Sequence, residues 1–471
     1  MTCSILRLPA EITYRILDHL DESTLILSLR NVCKRLNLIL DTYYRYQVVR
    51  NILVDDLFND DVNQILGALS KYRQLLNIVA SSKNQQLSIE IVNPDIVSRL
   101  IQLLNSEHDQ IQHDALWVLL NMAGGSSHHT KYLVNAGVIQ ILIELINSPK
   151  ESIQENAIWT LSNIAGDDCQ CRDYVLNGGA LPPLLNVLSN STRLPTLQTA
   201  AWCLLNLCRG TSPSVDVTKV ESVVPMLNHL LANSDEFVLN DICFALSYLC
   251  QLSNEILSAI IQVGVIPRLV ELLEHITFRV QLAALSALKE ILGGNEEQIQ
   301  IVLDAGVLPH LLRLSYNRRT LTEEALYDAI INITRGNESQ IQAVIDVGIL
   351  SILIGRSPDN TNEKIQKKAV RVIYNVTRLS SEQTKYVVDQ GAIPMLCFQL
   401  NTQTSDIVLM SLENILQWGA KESQQTNKHN PYAIIMKDLH ALKDIETLRT
   451  HADIEIATKS SRLIQTYFNG L

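Results

Sequence analysis

Residues 157–185 read AIWTLSNIAGDDCQCRDYVLNGGALPPLL. Trp159 stands four residues before Asn163, one helical turn, so both side chains project from the same face of a helix. Downstream, the glycine of NGGALPPL (Gly179) separates a short polar helix from an apolar one. A residue that tolerates φ > 0 lets the chain turn sharply there, and a proline shortly after it is acceptable in a first helical turn. The pattern repeats on both sides. Trp117 and Asn121 lie 42 residues earlier, and Trp202 and Asn206 lie 43 residues later.

The same step continues past the tryptophans, from Asn206 to Tyr248, Glu290, Asn332 and Asn375. The glycine keeps the beat at Gly137, Gly179, Gly264, Gly306, Gly348 and Gly391; around Val223 it is missing, which predicts an irregular first turn in that unit. Each unit reads as short helix, glycine turn, apolar helix, polar loop and longer helix. A three-helix unit with a period near forty predicts an all-α, right-handed armadillo-repeat solenoid of about ten repeats, spanning 55–471. Residues 55–108 read as a degenerate first repeat, SLENILQWG (Asn414, Trp418) as a ninth, and 421–471 as a polar closing repeat.

Composition agrees with helix pairs. The 471 residues are 47% hydrophobic but only 5% aromatic. No apolar run approaches the ~18 residues of a membrane span, and residues 1–20 lack a signal-peptide pattern, so no membrane partner is expected. Nine cysteines are scattered, and Cys169 and Cys171 lack a second pair at zinc-site spacing. Reduced thiols in a cytoplasmic and nuclear protein, without metal, are the expectation. The net charge of −11 disfavours nucleic acid and suits a basic partner. No HExxH, P-loop or GxGxxG is present, so neither catalysis nor a cofactor is expected.

Residues 1–50 follow another pattern. LRLPAEITYRILDHLDESTLILSLRNVCKRLNLIL opens on Leu8–Pro9, carries one apolar stripe through Ile12, Ile16, Leu17 and Leu20, then turns into a second through Leu25, Leu29, Val32 and Leu36. This predicts a separate small helical module.

A row of exposed asparagines one repeat apart is expected, offering paired donors and acceptors to the backbone of an extended peptide. Tryptophans between them form slots that cover a long aliphatic stem and attract its ammonium. A carboxylate at the end of a slot selects lysine. A tryptophan at helical spacing can equally fill a core, but asparagine is a poor core residue, and its recurrence in register favours a groove.

On these residues the sequence resembles the importin-α family, armadillo receptors for nuclear localisation signals. AIWTLSNIAGDDCQCRDYVLNGGALPPLL (157–185), LLNLCRG (204–210), ALSYL (245–249), NPY (430–432) and LIQTYFNG (463–470) carry the likeness. It implies a major groove lined by Trp117, Asn121, Trp159, Asn163, Trp202 and Asn206. It also implies a lysine pocket made by the Gly125 carbonyl, Thr130 and Asp167, and a further acid at Asp241. Thr130 could equally cap a helix.

The family's second, minor groove is degraded here. Its Trp–Asn pairs correspond to Asp328 with Asn332 and Arg371 with Asn375, its glutamate to Lys368, and Phe244/Tyr248 and Ser286/Glu290 stand in the units between. Two cations in a slot without its ring should repel lysine, so bipartite signals should gain little.

Residues 1–54 contain no Lys/Arg cluster of the kind that recruits importin-β in that family, so that partner is not expected. They resemble an F-box instead, which implies docking to a Skp-type adaptor of a cullin–RING ubiquitin ligase through Leu8, Pro9, Ile12, Ile16, Leu17 and Leu20. A simple cap on the solenoid end is the alternative. Three functions stay open: import receptor for lysine-rich signals, ligase substrate receptor using the same groove, and armadillo scaffold.

Overall fold

The structure is a computed structural model and describes residues 55–82, 94–210, 213–316, 319–356, 362–400, 405–426 and 429–468. The expected F-box face (Leu8, Pro9, Ile12, Ile16, Leu17, Leu20) lies outside the described residues. Two compact units divide near Val223.

The first unit contains α1 (Val62–Ser82), α2 (Pro94–Leu103), α3 (Asp109–Ala123), α4 (Ser127–Asn135), α5 (Val138–Leu145), α6 (Glu151–Asp167), α7 (Cys169–Asn177), α8 (Leu181–Asn190), α9 (Leu194–Cys208) and α10 (Val217–Val220). The long third helices α1, α3, α6 and α9 pack in sequence, each on the next. Their buried faces are Leu, Ile, Val and Ala, as in α6, where Ile153, Ala157, Ile158, Leu161, Ile164 and Ala165 face inward. The stretch 55–108 is not one repeat. Because α2 packs on α3, it belongs to the Trp117 repeat, and α1 alone holds the preceding third-helix position.

In the second unit the helices are α11 (Leu227–Leu231), α12 (Glu236–Cys250), α13 (Asn254–Val263), α14 (Ile266–Leu272), α15 (Phe278–Ile291), α16 (Glu296–Asp304), α17 (Val307–Ser315), α18 (Thr320–Thr334) and α19 (Glu338–Asp346). There follow α20 (Ile349–Arg356), α21 (Glu363–Thr377), α22 (Ser381–Asp389), α23 (Ala392–Phe398), α24 (Ser405–Thr426), α25 (Pro431–Asp438), α26 (Ala441–Thr447) and α27 (Ile454–Tyr467). Here α12, α15, α18, α21, α24 and α27 pack in order. Since α24 runs on to Thr426, residues 421–426 belong to the ninth repeat and the closing repeat starts later than expected.

All six rhythmic glycines are left-handed, at φ between 79° and 94°. An added Cβ at Gly264 would meet nothing within 4 Å, so backbone conformation rather than space requires glycine there. Around Val223, where the glycine is missing, the chain forms a 3₁₀ stretch, Glu221–Met226, with Pro225 inside it.

Candidate functional site: a tryptophan-lined face of the first unit

Trp117 on α3, Trp159 on α6 and Trp202 on α9 occupy equivalent positions on adjacent third helices. Trp159 is the most open, with 42% of its surface exposed; the other two are half-buried. Trp117 already holds a cation. The Arg73 guanidinium from α1 lies 4.5 Å from its ring centroid, and Arg73 Nη1 is 2.7 Å from Asp114 Oδ1.

The asparagines are not an exposed row. Asn121 Nδ2 donates to the Trp117 carbonyl of its own helix at 2.7 Å. Asn163 Nδ2 donates across the repeat boundary to the Leu120 carbonyl at 3.3 Å. Asn206, only 4% exposed, donates to both the Ser162 carbonyl (3.1 Å) and Ser162 Oγ (3.0 Å). Glycines make room for these approaches: a Cβ on Gly124 would come within 3.2 Å of Asn163 Nδ2, and one on Gly166 within 3.1 Å of Asn206 Nδ2. The amides of Asn163 and Asn206 therefore fasten α6 and α9 each to the last turns of the third helix before it. What remains for a ligand is the Oδ1 acceptors and the second amide hydrogens of Asn121 and Asn163. A signal for this lay in the sequence: asparagine persists at Asn332 and Asn375, where the paired tryptophan is gone.

The expected lysine pocket is assembled differently. Thr130 is 1% exposed, and its hydroxyl donates to the Ala123 carbonyl at 3.3 Å, tying α4 to the end of α3. The hydroxyl that reaches Asp167 is Ser127 Oγ, which donates to Asp167 Oδ2 at 2.8 Å; the sequence reading missed it. Gly125 is exposed in the turn before α4. The half-exposed Asp167 closes α6, one turn beyond Asn163. The neighbouring acid is committed: Asp168 caps α7 by accepting from Cys171 N at 2.8 Å, which holds its carboxyl below the usual range, and it pairs with Lys131 at 3.5 Å. Asp167 and Asn206 also border a cavity of about 210 Å³ floored by Arg172, whose Nη1 donates to the Arg209 carbonyl at 2.8 Å.

Asp241 lies in the second unit, on α12. Burial pushes its carboxyl above the ordinary carboxylate value, while a hydrogen bond from Asn240 and the charge of Arg279 act the other way. Further along that unit the altered rungs satisfy one another. Lys368 Nζ sits 2.5 Å from Asp328 Oδ1 and donates to the Glu324 carbonyl at 3.1 Å, and Lys289 is 4.0 Å from Asp328. Lys368 is thus not the free repelling cation expected from the sequence; Asp328 neutralises it. Asn332 donates to the Lys289 carbonyl at 2.8 Å, the buried Asn375 donates to the Ile331 carbonyl at 3.1 Å, and Arg371 is exposed.

Stacked third helices on short first and second helices, with an asparagine fastening at the repeat boundary, define an armadillo-repeat protein. Residues 84–124, 126–166, 168–209 and 253–293 match the armadillo/beta-catenin-like repeat, and residues 5–47 match the F-box domain. The fold matches an engineered protein of known structure at a TM-score of 0.76 and 24% identity, over 88% of this chain and 97% of that one. Importin subunit alpha-5 of Arabidopsis thaliana is 37% identical over 420 residues, covering 88% of this chain and 80% of its own length. The chain belongs to the importin-α family. Importin subunit alpha-1 of Schizosaccharomyces pombe is 43% identical over 209 residues and importin subunit alpha-4 of Arabidopsis thaliana 37% over 212, and in both the match spans 38% of the relative's length.

Proposed function

We propose that the chain is an adaptor for protein import into the nucleus, moving between cytoplasm and nucleus. In this reading it holds lysine-rich, mainly monopartite localisation signals on the first unit. Trp117, Asn121, Gly125, Trp159, Asn163, Asp167, Trp202 and Asn206 form the binding face, with Ser127 replacing Thr130 beside Asp167. Residues 1–50 form a separate module ahead of a solenoid at 55–471.

The observation that carries the reading is the 42%-exposed ring of Trp159 on the same helix as the half-exposed carboxylate of Asp167. A lysine needs both, a flat apolar wall for its stem and an anion for its tip. Adjacent packed helices lie about 8–10 Å apart, about three residues of extended chain, so three rungs suit a segment of about six or seven residues.

Fluorescence anisotropy of a labelled lysine-rich peptide on the full chain tests this. Asp167→Lys should abolish binding, and Trp159→Ala should weaken it by about tenfold. Binding of Asp167→Lys at wild-type strength would show the lysine pocket to be wrongly assigned.

The F-box match at 5–47 favours a second reading, a substrate receptor of a cullin–RING ubiquitin ligase that captures lysine-rich segments with the same face. Its docking surface would be Leu8, Pro9, Ile12, Ile16, Leu17 and Leu20, against a Skp-type adaptor. Co-purification separates the two. Recovery of importin-β without Skp excludes the ligase role, and Skp without importin-β excludes carrier-dependent import.

A further inference from the structure

The three tryptophan rungs are not equivalent, and the difference lies one turn upstream of each ring. Three residues before Trp117 stands Asp114, a carboxylate; the corresponding residues before Trp159 and Trp202 are Asn156 and Thr199. Asp114 is only 6% exposed and needs a cation. Arg73 supplies it at 2.7 Å, and in doing so lays its guanidinium on the Trp117 ring, 4.5 Å from the centroid. Among the described residues no cation lies over Trp159 or Trp202. The ring chemistry is general to this chain: in the second unit Lys421 Nζ sits 3.9 Å from the centroid of Trp418.

We propose that Arg73 is a built-in occupant of the Trp117 slot and sets the specificity of the groove. This inference rests on the peptide-binding reading above. A lysine arriving at that rung meets a ring face already covered and a like charge a few ångströms away. Displacing Arg73 would take the guanidinium from the buried Asp114 and leave it only the weaker contact with His113 Nδ1, 3.2 Å from its Oδ1. The groove therefore reads its lysine cluster at the Trp159 and Trp202 rungs. At the Trp117 end it prefers a neutral or acidic flanking residue, the acidic one pairing with the 36%-exposed Arg73 side chain.

The test uses a short lysine-cluster peptide extended by one or two residues at either end with Lys, Ala or Glu, titrated against the full chain. In the wild type, lysine extension at one end should change affinity by less than about twofold, while glutamate there tightens binding. The companion protein is Arg73→Met/Asp114→Asn, which removes cation and carboxylate together and leaves no unpaired buried charge. In it the same lysine extension should tighten binding about fivefold. The proposal is overturned if lysine improves wild-type binding at both ends alike, or if a folded double variant keeps the wild-type preference. The first comparison needs no substitution. Failure of the unextended peptide to bind the wild type would instead remove the groove reading, and this proposal with it.

Discussion

Asn206 shows how one side chain can be read correctly for its face and wrongly for its task. Its spacing from Trp202 places it on the tryptophan side of α9, yet its amide is turned along the stack onto Ser162 of the preceding third helix. A period of one turn fixes direction around a helix axis, not whether a side chain ends in the groove or in the seam between repeats. Replacing Asn206 with alanine leaves buried acceptors without donors, and about 1–3 kcal/mol of stability should be lost, measured by urea unfolding. Thr130 and Ser127 make the same point in a hydroxyl pair. Both lie on α4, and only burial decides that Thr130 closes a helix end while Ser127 meets the carboxylate.

At the scale of elements, the glycine turns were fully legible, because a left-handed residue has one cheap side-chain solution and the chain repeats it at a fixed step. Gly264→Ala, with φ of 85° and open space around it, should cost about 1–2 kcal/mol through backbone strain alone, visible as a lower midpoint in thermal unfolding. Helix ends without such punctuation were not legible. Nothing in KESQQT (421–426) stops a helix, so α24 continues through it, and the next helix opens at Pro431. Likewise α2 could be assigned to its repeat only from the neighbour it packs on.

Across the whole molecule, a net charge of −11 gives a basic segment a favourable field, and the proposed contacts are ionic at the lysine tips. Raising salt from about 0.05 to 0.3 M should weaken peptide binding about tenfold in the same anisotropy assay, since exposed pairs are screened over a shorter length. A bipartite signal should bind the full chain within about twofold of its lysine cluster alone. The sequence pointed to that outcome through repulsion; in the structure the cause is that Lys368, Asp328 and Lys289 have already paired among themselves. The F-box match at 5–47 and the tryptophan-lined face of the first unit lie on different parts of the chain, so the proposed cargo and the proposed recruited partner are separately testable.

The asparagine fastening has a consequence for judging any chain built this way. An amide that rivets one coil to the next serves the coil and needs no ring beside it, as Asn332 and Asn375 show. Tallying amides therefore gauges how firmly the spring is wound. Tallying bare rings gauges what face it still offers, and of the three tryptophans in the first unit Trp159 is the most open while Trp117 is shielded by the chain's own arginine.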